Sequence, residues 1–161
     1  MPMPPLAPAV EKDQTNDRLA ASLFAEVLIA DQLSRNLISR ALPRGMQISH
    51  FSVQNLLAHV GEERTPAQLA EAFHVTRGAM TNTLSRLEWA GHIHIRPDWD
   101  DARRKFVAIS PAGRTARDAA IAAFMPLIAE VVRDIGPERV RVALPVLREL
   151  RLRLGGAISD E

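Results

Sequence analysis

The sequence contains no cysteine. That excludes disulfides, thiolate zinc sites and a cysteine redox switch together. It leaves the compartment open, because a chain without thiols suits either redox environment. Aromatic residues make up only 4%, and tyrosine is missing. The core must therefore come from Leu, Ile, Val, Ala and Met, which favours helices. Charge of one sign is not in excess. The formal net charge is +1, so any basic surface has to be local. Long hydrophobic runs are also missing: the most apolar stretch, Ala119 to Val132, is interrupted by Pro126 and Glu130 and is too short to span a membrane. The sequence shows no H-E-x-x-H, no phosphate-binding glycine loop and no G-x-S-x-G elbow. Neither an enzyme nor a bound cofactor is expected.

What is present fits one soluble domain with helical extensions. The chain has 161 residues, 47% hydrophobic and 24% charged. Residues 1–15, with Pro2, Pro4, Pro5 and Pro8, read as a flexible extended arm. The arm lacks the basic start and apolar run of a secretory signal, so a cytoplasmic location is expected. From Asn16 to Leu42, the residues Leu19, Leu23, Val27, Ala30, Leu33 and Leu37 recur at spacings of three and four, one apolar stripe on a long helix. Pro43 and Gly45 end it. That stripe exceeds what a small domain can cover, which points to a partner. A second helix is expected after Ser49 as N-cap, with Phe51, Val53, Leu56, Leu57 and Val60 as its apolar set and Gly61 as its stop.

The most informative stretch is RTPAQLAEAFHVTRGAMTNTLSRLEWAGHI. Thr65 caps a short helix with Pro66 at its first position and Gln68 placed for a capping box. His74 and Val75 make a turn. Thr76 caps a second helix that Gly91 closes. Two helices joined by so short a turn form a helix-turn-helix. Leu69, Ala70, Phe73, Val75, Met80, Leu84 and Leu87 supply one shared apolar interior. The opposite face of the second helix carries Arg77, Gly78, Thr81, Asn82, Ser85 and Arg86, types suited to base edges and phosphates, and Thr76 at its start joins them as an expected DNA-binding residue.

Two β-branched segments follow, about His92 to Arg96 and Phe106 to Ile109, around the polar stretch PDWDDARRK. They read as a hairpin with a long exposed tip carrying Arg103, Arg104 and Lys105. An arginine there is suited to a narrow minor groove, and Asp98, Asp100 and Asp101 are placed to hold it. Ser110 and Pro111 then open a helix expected to reach Ile135 with a bend at Pro126. A last helix covers Pro137 to Leu154, with Pro145 expected to divide it.

From Ile48 to Gly113 this order of elements resembles the MarR (multiple antibiotic resistance regulator) family. The matching residues are TPAQLAEAFHVTRGAMTNTLSRLEWAGHI, then DWDDARRKFVAISPAG. The resemblance implies a mainly α fold with a small β-hairpin wing, a winged helix-turn-helix over 48–110. The flanking segments 16–47 and 111–161 become dimerisation helices. It implies a homodimer on double-stranded DNA, a ligand-responsive repressor on a pseudo-palindromic operator, and a small aromatic or phenolic effector. Carried over by position, Arg77, Thr81 and Asn82 match the recognition helix and Arg103 matches the wing arginine. Ala102 departs from the pattern where many members have a basic residue, and His74 stands where glycine is common.

Other readings remain open at this level. A winged helix can bind protein instead of DNA. His92 and His94, two apart on a strand, would start a metal-responsive site, although no third ligand is evident. Asp98, Asp100 and Asp101 resemble the opening of a calcium loop, but Arg103 and Ile109 stand where that loop needs Gly and Glu. His50, Asn55 and His59 lie on or near the second helix, where they would either line a ligand cavity or stand as partly exposed polar positions, the second being the expectation.

Overall fold

The structure, a computed structural model, describes residues 9–159, with side chains described for 14–156. In chain order these form α1 (Ala9–Ala41), α2 (Ile48–Val60), α3 (Pro66–Ala72), α4 (Arg77–Trp89), β1 (Ile93–Pro97), β2 (Lys105–Ile109), α5 (Pro111–Ile135) and α6 (Pro137–Ser159). This is the expected mainly helical fold with a two-stranded wing. α1 starts before Asn16 because no proline or glycine stands between Ala9 and Ala41. Residues 1–8 of the expected arm lie outside the described residues.

Two expectations at helix ends and interiors are corrected. Ser49 is not the cap of α2. Gln47 holds that place, and its backbone N–H donates to His50 Nδ1 at 3.3 Å. Pro145 does not divide the last helix, which runs unbroken to Ser159. A proline inside a helix costs about 3 kcal/mol. Strong helix formers lie on both sides, among them Ala143 and Leu144 before it and Leu147, Arg148 and Glu149 after it. α5 likewise continues through Pro126.

The core has two centres. In the first, Val53 and Leu57 of α2, Leu69 and Ala70 of α3, and Met80, Leu84 and Leu87 of α4 enclose Ile93 and Val107 of the hairpin. Ala70 is small where α3 meets α4. The second joins Leu42 to Ala120 and Phe124 of α5, with Ile38, Met46 and Phe51 packed against them. Phe51 meets Phe124 edge to face, with ring centroids 5.1 Å apart. α2 contributes to both centres, so it ties the helix-turn-helix to the long helices.

The turn between α3 and α4 is tight enough to place His74 at φ 49°. Histidine tolerates that left-handed conformation better than most side chains do. β1 and β2 pair antiparallel, with Ile93 opposite Ile109 and Pro97 opposite Lys105. Arg64 adds a third backbone partner: its N–H donates to Val107 O at 3.1 Å and its carbonyl accepts from Val107 N at 2.8 Å. The wing is thereby fastened to the start of α3.

The start of α5 is fastened to the end of α4. Ser110 Oγ donates to Gly91 O at 2.6 Å and accepts from Gly113 N at 3.0 Å. Ser110 N donates to His92 O at 3.0 Å. A Cβ on Gly113 would lie 2.0 Å from that same carbonyl oxygen, so only glycine permits the approach.

Candidate nucleic-acid interface

α4 is positioned by its cap and its buried face. Thr76 Oγ1 accepts from Ala79 N at 3.2 Å. Met80, Leu84 and Leu87 are buried, whereas Arg77, Gly78, Thr81, Asn82, Ser85 and Arg86 are exposed, as expected from the spacing. Thr76 is itself exposed at the start of this face. Nothing in the fold requires glycine at 78, where a Cβ would meet no atom within 4 Å. The missing side chain leaves bare backbone on an exposed face, at a cost of roughly 1 kcal/mol relative to alanine.

The hydrogen bonds of α4 decide what its polar face can offer. Thr81 Oγ1 donates to Arg77 O at 2.8 Å and Ser85 Oγ donates to Thr81 O at 2.9 Å. Both hydroxyl protons are used within the helix, leaving lone pairs that accept. The Asn82 amide has no hydrogen-bond partner among the described residues, so it keeps the donor and acceptor that pair with an adenine edge.

The wing sorts its cations. Asp98 Oδ1 accepts from Asp100 N and Asp101 Oδ1 from Arg103 N, each at 3.0 Å. Asp98 N donates to Arg104 O and Arg104 N to Asp101 O, each at 2.9 Å. These bonds hold the tip in a defined turn. The Arg104 guanidinium lies 3.9 Å from Asp98 and over the Phe106 ring, 5.8 Å from its centroid. Arg96 covers the same ring at 4.9 Å and pairs with Glu63 through two hydrogen bonds. Arg103 and Lys105 have no ion pair among the described residues, so their charge is directed outward.

A groove of about 470 Å³ runs between α3, α4 and the wing. It is lined by Arg77 and Thr81 from α4, Arg103, Arg104 and Lys105 from the wing, and Thr65, Pro66 and Ala67 from the start of α3. Sequence reasoning missed these three residues: it gave Thr65 and Pro66 only to the start of the helix and gave Ala67 no role. Ser85 and Arg86 do not reach this groove. They line a second cleft of about 520 Å³ on the other side of α4, together with Arg44, Met46, His50 and His92.

His50 is a correction. It is 8% exposed and lines the second cleft. Its Nδ1 accepts from Gln47, which places the proton on Nε2. That Nε2–H is buried without a partner among the described residues. Burial pushes the His50 pKa below its ordinary value, and the positive charges of Arg86 and His92 lower it further. His50 is therefore neutral in the fold, while the unfolded chain binds the proton near the ordinary value of 6.5. The unfolded state then binds more protons. Stability is full above about pH 6.5 and falls as pH drops below it. Urea midpoints measured between neutral and mildly acidic pH should show this loss, and His50→Gln should reduce it.

Of the other two polar positions on α2, Asn55 accepts from Arg117 Nε at 3.0 Å and His59 is exposed. His92 is half-buried and His94 exposed. Among the described residues no three metal-ligating side chains come together, and no helix is long and apolar enough to cross a membrane.

Comparison with known proteins agrees with this geometry. Residues 44–104 match the MarR family. A mutant of MarR from E. coli, solved in complex with operator DNA, superposes with a TM-score of 0.71 at 21% identity over 80% of this chain and 93% of that one. A MarR-family transcriptional regulator from Rhodococcus sp. RHA1 gives 0.73 at 20% identity over 82% and 94%. BpsR from Bordetella bronchiseptica, solved for the regulation of its DNA binding by 6-hydroxynicotinic acid, gives 0.72 at 15% identity over 81% and 98%. A search of the curated proteins finds no significant match. Residues 44–104, which span the helix-turn-helix and the first strand of the wing, match the MarR family, and about four fifths of the chain shares the fold of these solved regulators.

Proposed function

We propose that this protein is a ligand-responsive transcriptional repressor that binds operator DNA as a homodimer in the cytoplasm and has no enzymatic activity. The observation that carries the reading is the groove between α4 and the wing. It joins Arg77 and Thr81 to Arg103 and Lys105. α4 then lies in the major groove, with Asn82 on base edges and Arg77 on phosphate, and the wing places Arg103 in the adjacent minor groove. Arg104, held by Asp98, braces the wing more than it contacts DNA.

The apolar faces of the long helices support the dimer. Leu19, Leu28 and Leu33 of α1 and Val142 and Leu152 of α6 are all more than 60% exposed. Exposed large apolar side chains in this number on the long helices mark an interface, and a second copy covers them symmetrically. Two recognition helices related by a two-fold axis read half-sites about one helical turn, ~10 bp, apart. The second cleft supplies the response. The free Nε2–H of His50 and the guanidinium of Arg86 suit a small aromatic acid, and the cleft lies between α4 and α5, where occupancy would move one against the other.

Selection from a random-sequence duplex pool, followed by sedimentation of protein alone and with the selected duplex, tests this reading. A dimer that binds one palindromic duplex is expected; a stable folded monomer, or no enrichment, would sink it. Asn82→Ala should change the preferred sequence while leaving the salt dependence intact, because the residue carries no charge. A uniform loss on all duplexes would contradict that role.

A further inference from the structure

The wing carries one large apolar side chain that the fold does not use. Trp99 is 86% exposed. An indole left in water forgoes one of the largest burial contributions a side chain can make. Most other exposed large apolar residues belong to α1, α5 and α6, where a second copy accounts for them. Trp99 belongs to none of those faces. It stands at the tip of the hairpin in a turn held by the Asp98 and Asp101 carboxylates, four residues before the unpaired Arg103.

We propose that Trp99 is a DNA contact that sets part of the operator preference, resting on the DNA-binding reading above. With α4 in the major groove, the wing tip meets the minor groove. Three aspartates near the tip disfavour close approach to phosphate. Two of them are turned inward as acceptors for backbone N–H groups, but the tip still lacks the dense positive charge of a pure phosphate clamp. An apolar ring suits the deoxyribose walls and base edges that line the groove between phosphates. The indole also carries one N–H and no acceptor. The minor groove of A·T pairs offers only acceptors, whereas G·C pairs add a donor. Trp99 therefore favours A·T pairs under the wing, and Arg103, four residues further along the same tip, favours the narrow groove such pairs create.

The chain has two tryptophans, so Trp89→Phe leaves Trp99 as the only indole reporter. This variant is titrated with the duplex that the wild-type protein selects from a random pool, while labelled DNA reports binding by anisotropy. Trp99 emission should be quenched in step with the anisotropy, and its access to iodide should fall. Trp99→Ala should bind the selected duplex roughly tenfold more weakly with an unchanged salt slope, and its own selection should lose the A·T preference beneath the wing. Binding by anisotropy with unaltered emission and iodide access, together with wild-type affinity for Trp99→Ala, would overturn the proposal and leave the DNA-binding reading standing. Failure of the wild-type protein to select any duplex would instead overturn the reading beneath it.

Discussion

Gly113→Ala is expected to lower the melting temperature by ~10 °C, the largest stability loss expected here from a single added methyl group. The added Cβ would lie 2.0 Å from His92 O and 2.9 Å from the Ile109 side chain. The first contact is with backbone, so no rotamer change relieves it. The start of α5 must move away from the Gly91–His92 turn, and the three hydrogen bonds of Ser110 are strained with it. Overpacking against backbone together with a disturbed cap costs on the order of 3 kcal/mol, and each kcal/mol moves the melting point of a chain this long by ~2–4 °C. Thermal unfolding followed by circular dichroism checks this. Gly78→Ala is the matched control, because a Cβ there meets nothing within 4 Å. It should leave stability unchanged or raise it by up to ~1 kcal/mol, while its exposed position on α4 lets DNA affinity fall.

Arg103→Ala should weaken operator binding by about 2 kcal/mol, roughly 30-fold, without lowering the melting temperature. The two halves of that expectation have separate causes. The guanidinium has no ion pair among the described residues, so the fold loses nothing when it is removed. The wing turn depends on the backbone N–H of residue 103, which donates to Asp101 and is kept in alanine. Arg104→Ala should behave differently. It loses the Asp98 contact and the stacking on Phe106, so its effect on affinity should be smaller and should come with a loosened wing. Anisotropy titrations at several salt concentrations separate the cases. Loss of Arg103 should reduce the salt slope by about 1, and an unchanged affinity would remove Arg103 from the interface.

The parts of this molecule legible in the sequence are those fixed by local rules. Thr65 and Gln68 form the reciprocal cap that their spacing requires, with bonds of 2.9 and 3.2 Å. Met80, Leu84 and Leu87 are buried because three- and four-residue spacing places them on one face. What escaped the sequence depends on contacts between distant segments. A lone histidine has no periodic partner to reveal burial, so the sequence left His50 between a partly exposed position and a cavity-lining one. Arg64 joins β2 through its backbone alone and leaves no side-chain pattern. Ser85 and Arg86 share a polar face with Arg77, but they lie about 12–14 Å further along the axis at 1.5 Å per residue. That displacement takes them past the wing and beside the α1–α2 connection and α5. A helical wheel shows the angle and hides the height. Pro145 shows the opposite error: a local rule was applied where the flanking residues outweigh it.

The measurement that tests the account most directly is a fluorescence-anisotropy titration of the wild-type protein. It uses DNA from upstream of the protein's own gene, or the duplex selected from a random pool, beside a scrambled duplex of equal composition, across a range of salt. The account predicts tight binding to the first, far weaker binding to the second, and a steep loss of affinity with salt from the cationic contacts of Arg77 on α4 and Arg103 on the wing. Equal, weak binding to both duplexes, with no sequence enriched from the pool, would contradict it and assign the winged helix to protein contacts instead.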